Sequence, residues 1–148
     1  MNADTPISYP AFQKVYDLDR KYCAYVNGEI ATVYKYNCVF GKELYSIEGS
    51  YKNSYLRNNG SIFIAAYAGL NLIPLNSNLN KVMFTVWLNG KKTKEYLLGD
   101  IIKSLSSLQK TSSHYSWGVV DSVTEDSIYL TTVEGKVQID FINGTVRL

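Results

Sequence analysis

Hydrophobic and polar positions alternate most regularly over residues 127–148. Ile128, Leu130 and Thr132 fall on one side of an extended chain, and Tyr129 and Thr131 on the other, because successive side chains of a strand point to opposite faces. The pairs Glu134-Gly135 and Asn143-Gly144 divide the stretch into three strands. Two-residue turns at these pairs predict that Ile128 faces Phe141, Leu130 faces Ile139 and Thr132 faces Val137. They also place Phe141 opposite Val146, Ile139 opposite Leu148 and Asp140 opposite Arg147. The pattern is that of an antiparallel meander with one buried face.

Related patterns recur upstream. Residues 1–11 hold Pro6 and Pro10 and read as an extended lead-in. Turn signals at residues 17–20, at Asn27-Gly28 and at residues 40–42 separate strands near 22–26, 30–36 and 43–48. Residues 57–60 form a further turn between strands near 50–56 and 61–67, and Asn89-Gly90 joins 82–88 to 93–98. A polar turn, a strand, a glycine turn and a second strand thus recur, opening near Arg20, Gly60 and Asp126. Short strands repeated at this length resemble β-propeller blades. The expected fold is one all-β domain of antiparallel meanders, arranged as an incomplete propeller or as a twisted β-sandwich.

The repeat is interrupted by an insertion at residues 99–118. Asp100 suits a helix start, and Ile101, Ile102, Leu105 and Leu108 make an apolar stripe. One short helix is expected near 100–108. A loop over 109–118 follows, carrying Thr111, Ser112, Ser113, His114, Tyr115, Ser116 and Trp117.

Composition agrees with the strand reading. Thirteen tyrosines accompany 46% hydrophobic residues, so the chain can bury a core. A net charge of +2 does not suggest nucleic acid, and Lys91, Lys92 and Lys94 read as a solvated hairpin tip. No apolar run reaches the roughly 20 residues of a membrane helix. Few charges, two cysteines and a start at Met-Asn-Ala suggest a periplasmic or secreted protein whose signal segment has been removed. Cys23 and Cys38 are either partners in a disulfide or two small buried hydrophobes. A tight Asn27-Gly28 turn would place Cys23 opposite Thr32, out of reach, whereas a wider loop would bring it near the end of the next strand. Two thiols and one histidine are too few soft ligands for a metal, and no cofactor motif is present.

His114 is the one histidine. As a general base it would need a nucleophile and an orienting acid. Ser113 or Ser116 would supply the first, and Asp121 or Asp100 the second; the alternative is a structural or surface histidine. Ser107-Leu108-Gln109-Lys110 fits a Ser-x-x-Lys pattern but lacks its companion motifs. Asn59-Gly60-Ser61 and Asn143-Gly144-Thr145 fit both glycosylation sequons and ordinary turns, and turns are expected.

Aromatic and hydroxyl side chains together are what recognition loops use, and a stiff sheet presents such a loop well. In size, blade-like repeats and the hydroxyl-rich Thr111-Ser112-Ser113-His114, the chain resembles the small periplasmic immunity proteins that bacteria hold against cell-wall amidase toxins of type VI secretion. That resemblance implies a non-enzymatic inhibitor. Ser112 and Ser113 would plug the toxin's active site, a serine hydroxyl would meet its catalytic histidine, and His114, Tyr115 and Trp117 would flank them. The alternatives are a small serine hydrolase using Ser113 or Ser116 with His114, and a carbohydrate-binding or structural β module. The last would expose a row of aromatic rings on one sheet face.

Overall fold

A computed structural model describes residues 12–148, so the expected lead-in at 1–11 lies outside the described residues. The fold is all-β, with four antiparallel sheets and one short helix. The described residues form two compact units.

One unit holds residues 12–68 and Phe84–Glu95. Its first sheet is the meander β1 (Gln13–Tyr16), β2 (Tyr22–Val26), β3 (Ile30–Lys35) and β4 (Lys42–Glu48). A second sheet has the order β5 (Ser54–Arg57), β6 (Ile62–Ala66), β8 (Val82–Leu88), β9 (Lys91–Leu97); the last two strands run across the unit's boundary. Ala24, Val26, Ala31, Val33, Ile47, Leu56, Phe63 and Trp87 make this core. Their strands were half apolar on both faces, so only tertiary packing decides which side is buried.

The loop after β2 is the wider alternative. Asn27 Oδ1 accepts the Glu29 and Ile30 backbone N–H groups at 3.0 Å each, and the register runs from Val26↔Ala31 to Cys23↔Tyr34. Cys23 therefore reaches the end of β3, and the Cys23–Cys38 disulfide forms with the Cα atoms 5.5 Å apart. Lys91, Lys92 and Lys94 are exposed on β9, and Lys92 pairs with Glu95 at 3.7 Å.

The other unit holds Gly69–Met83 and Tyr96–Leu148. Its meander is β12 (Val119–Val123), β13 (Ser127–Thr132), β14 (Gly135–Asp140) and β15 (Thr145–Arg147). The alternation is as expected: Ile128, Leu130, Val137, Ile139 and Phe141 are buried. The register differs by two residues at both turns. Ile128 faces Ile139, Leu130 faces Val137 and Thr132 faces Gly135, so the first turn is Val133-Glu134. Asp140 faces Thr145, not Arg147, and Arg147 faces Gln138. Side chains seed these turns earlier than the glycines do. Thr132 Oγ1 accepts the Glu134 N–H at 3.1 Å, and Asp140 Oδ1 accepts the Ile142 and Asn143 N–H groups at 3.0 and 2.9 Å. A shift of two keeps every side chain on its face.

The fourth sheet has the order β10 (Gln109–Lys110), β11 (His114–Ser116), β7 (Leu72–Pro74); its first two strands come from the segment expected to be an insertion. The helix is shorter than the apolar stripe suggests: α1 is Leu98–Ile101, and Ile102 is already extended. Asp100 is the third residue of this helix instead of its start, and its Oδ2 reaches back to accept the Leu97 N–H at 2.8 Å. Serines then take over the backbone. Ser104 Oγ accepts the Ser106 N–H at 3.2 Å and the Ser104 carbonyl accepts the Ser107 N–H at 3.3 Å, closing a 3-10 turn at Leu105–Ser107. Ile101, Ile102 and Leu108 are nonetheless buried.

Candidate functional site

Residues 109–116, read in the sequence as an irregular loop, form a β-hairpin. Gln109 faces Ser116 and Lys110 faces Tyr115. On its other side β11 pairs with β7, His114 against Pro74, Tyr115 against Ile73 and Ser116 against Leu72. Pro74 has no N–H to donate, and β7 lies at the sheet edge, where proline is tolerated.

Thr111 organises the tip. Its backbone N–H and its hydroxyl both donate to the His114 carbonyl, at 2.8 and 3.0 Å. Its Oγ1 accepts the N–H groups of His114 at 3.0 Å and Ser113 at 3.4 Å. Thr111 thereby ties the turn together, and Ser112 and Ser113 stand exposed at the apex. Thr111, His114 and Tyr115 are half-buried. Ser113 Oγ and His114 Nδ1 lie 2.8 Å apart, a hydrogen bond between sequence neighbours.

Trp117 departs from its expected flanking role. It is 2% exposed; its indole Nε1 donates to the Leu70 carbonyl at 2.6 Å, and its backbone N–H to the Asn71 carbonyl at 3.0 Å. It anchors the base of the hairpin instead of contributing contact surface. Tryptophan combines a large apolar body with one donor, which suits it to such an anchor.

The approach to the hairpin is fixed by Glu134, a residue that the sequence reading passed over as part of a turn. Oε1 accepts the Lys103 N–H at 2.7 Å. Oε2 accepts the Ser104 N–H at 3.2 Å and the Ser107 hydroxyl at 2.6 Å. The Ser107 hydrogen bond first, then that of Lys103, holds this carboxyl below its ordinary pKa. Ser107 thus serves a structural bond. A glutamate in a turn gives no sequence signal of partners about thirty residues away.

The acids considered as orienters for His114 are engaged with other groups. Asp121 Oδ2 accepts the Thr131 hydroxyl at 2.5 Å, and Asp100 accepts the Leu97 N–H. Trp87, Trp117 and Tyr96 are buried. Tyr16, Tyr25 and Tyr34 are half-buried on the face of the first sheet that points away from its core, and the exposed Phe12 ring stacks on Tyr25 at 6.2 Å. Among the described residues no group of His, Cys, Asp and Glu is arranged to hold a metal ion, and no helix is long and apolar enough to cross a membrane. No family model, curated protein or solved structure matches the chain.

Proposed function

We propose that the chain is a non-enzymatic protein-binding inhibitor that inserts the β10–β11 tip into the active-site groove of a partner enzyme. The reading names an immunity protein against a cell-wall amidase of type VI secretion, acting in the periplasm or outside the cell. The observation that carries it is the exposed Ser112-Ser113 apex on a turn whose backbone Thr111 holds closed. Such a tip loses little conformational freedom when it binds, so contacts made there translate efficiently into affinity. Hydroxyls are suited to meeting a catalytic histidine, since they both donate and accept. The Cys23–Cys38 bond suits an oxidising compartment.

The test is whether a neighbouring gene encodes a cell-wall amidase and whether the chain inhibits that enzyme's cleavage of peptidoglycan. Stoichiometric inhibition that weakens in Ser112→Tyr and Ser113→Tyr supports the reading. Full cleavage in the presence of excess chain refutes it.

One observation favours a second reading, a small serine hydrolase: the 2.8 Å contact between Ser113 Oγ and His114 Nδ1. Hydrolysis of a p-nitrophenyl ester that disappears in both Ser113→Ala and His114→Ala would support it; an inert chain would remove it.

A further inference from the structure

The β1–β2 and β3–β4 turns lie at the same end of the first sheet and are fastened to each other. The Tyr36 N–H donates to the Lys21 carbonyl at 2.6 Å, and the Cys23–Cys38 disulfide ties β2 to the β3–β4 turn. Asn37 Oδ1 accepts the Val39 and Phe40 N–H groups at 2.9 and 2.6 Å. The Gly41 N–H closes the turn onto the Asn37 carbonyl at 3.0 Å, and a side chain at Gly41 would collide with the Asn37 and Lys35 carbonyls.

What this scaffold presents is apolar. Phe40 is 90% exposed, Val39 65%, Tyr36 63% and, on the neighbouring turn, Leu18 54%. Large side chains gathered at rigid tips in this way mark a contact surface. Cations stand immediately behind them. Lys35 and Lys42 form the last register pair before the β3–β4 turn, and Arg20 and Lys21 close the β1–β2 turn. Lys35 Nζ lies 5.2 Å from the centre of the Tyr36 ring. The exposed acids nearby are Asp19 and Glu43, so cations outnumber them; the Asp17 carboxylate is buried and accepts the Lys21 and Tyr22 N–H groups.

We infer that this end of the sheet docks peripherally on an anionic lipid surface, with Phe40, Val39, Tyr36 and Leu18 entering the acyl boundary and the cations meeting the phosphates. Two turns repeat the same order, apolar apex and then basic base. Phe40 precedes Lys42 by two residues, so the apolar apex and the basic pair adjoin in the chain. Interfacial segments bury their apolar face to a depth of roughly 5–10 Å and leave basic side chains at the headgroups. Basic side chains near an anionic leaflet add attraction that salt screens. A convex apolar tip suits a medium that deforms around it. The inference is independent of the proposed inhibitory hairpin.

The experiment is co-sedimentation of the oxidised full chain with vesicles of phosphatidylcholine, with and without phosphatidylglycerol, at increasing NaCl. Binding is expected to the phosphatidylglycerol vesicles and to fall with salt. Phe40→Ser should lower the partition coefficient by about tenfold or more, from the apolar area withdrawn. Lys35→Gln with Lys42→Gln should flatten the salt dependence. Phe40 is too exposed for its replacement to threaten folding. No sedimentation with either vesicle, or binding unchanged in Phe40→Ser, overturns the inference. So does a concentration-dependent dimer abolished by Phe40→Ser in chain that ignores vesicles, which would assign the tip to a second copy.

Discussion

The Trp117 indole donates to the Leu70 carbonyl at 2.6 Å. It thereby fixes the base of a hairpin whose tip lies several residues away. Trp117→Phe keeps most of the apolar body but leaves that carbonyl without this donor, and should cost about 1–3 kcal/mol. Trp117→Ala should cost about 3–5 kcal/mol. Urea unfolding of the two variants against the parent chain checks both values.

Thr111 closes the turn with its hydroxyl as well as its backbone. Thr111→Ala should loosen the tip and Thr111→Ser should preserve it. Amide hydrogen exchange at Ser113 and His114 should quicken in the alanine variant alone. Where a partner enzyme is inhibited, affinity should follow the same order.

Glu134 titrates below its ordinary value because Ser107 and the Lys103 backbone donate to it. A carboxyl whose folded pKa is depressed stabilises the fold above its unfolded pKa, and that contribution is lost as pH falls through the folded value. Glu134→Gln should therefore unfold more readily than the parent at neutral pH, and the gap should close in acid. Thermal midpoints across the acid range check the sign.

Tyr45 presents the opposite case. Burial pushes its phenol well above the ordinary value, and the hydroxyl donates to the Gly60 carbonyl at 2.5 Å. A raised pKa means that its contribution is complete below the unfolded value near 10 and is lost as pH climbs through the folded one. Tyr45→Phe should cost about 1 kcal/mol at neutral pH. The difference from the parent should shrink in strong alkali, measured by denaturant titration.

Reducing the Cys23–Cys38 bond, which spans 15 residues, should lower stability by about 3 kcal/mol. Backbone exchange should rise first around Val39 and Phe40, whose turn the bond ties to β2.

Local alternation made much of this fold legible. The strand Val82–Leu88 has the limits its pattern suggests, and the faces of β13 and β14 follow from their spacing. Register was less accessible. The glycines at 135 and 144 drew the turns toward themselves, whereas Thr132 and Asp140 fix them through hydrogen bonds that composition does not reveal. The segment 99–118 was hardest. Its apolar stripe fits helix spacing, yet Ser104 draws the backbone into a 3-10 turn. The hairpin beyond it needs β7 as a neighbour, which no local pattern announces. Within 109–118, Trp117 was expected to flank a contact surface and is buried, and Glu134 was passed over because its partners are remote in sequence.

The pairing of β11 with β7 spans roughly 40 residues of intervening chain, and closing so long a segment carries an entropic cost that no nearby contact repays. The β11–β7 ladder is therefore expected to form later in folding than the turn that Thr111 closes locally. Until Ile73 and Tyr115 have met, the hairpin stands without the strand behind it, so exchange protection along β7 should lag behind the recovery of bulk secondary structure.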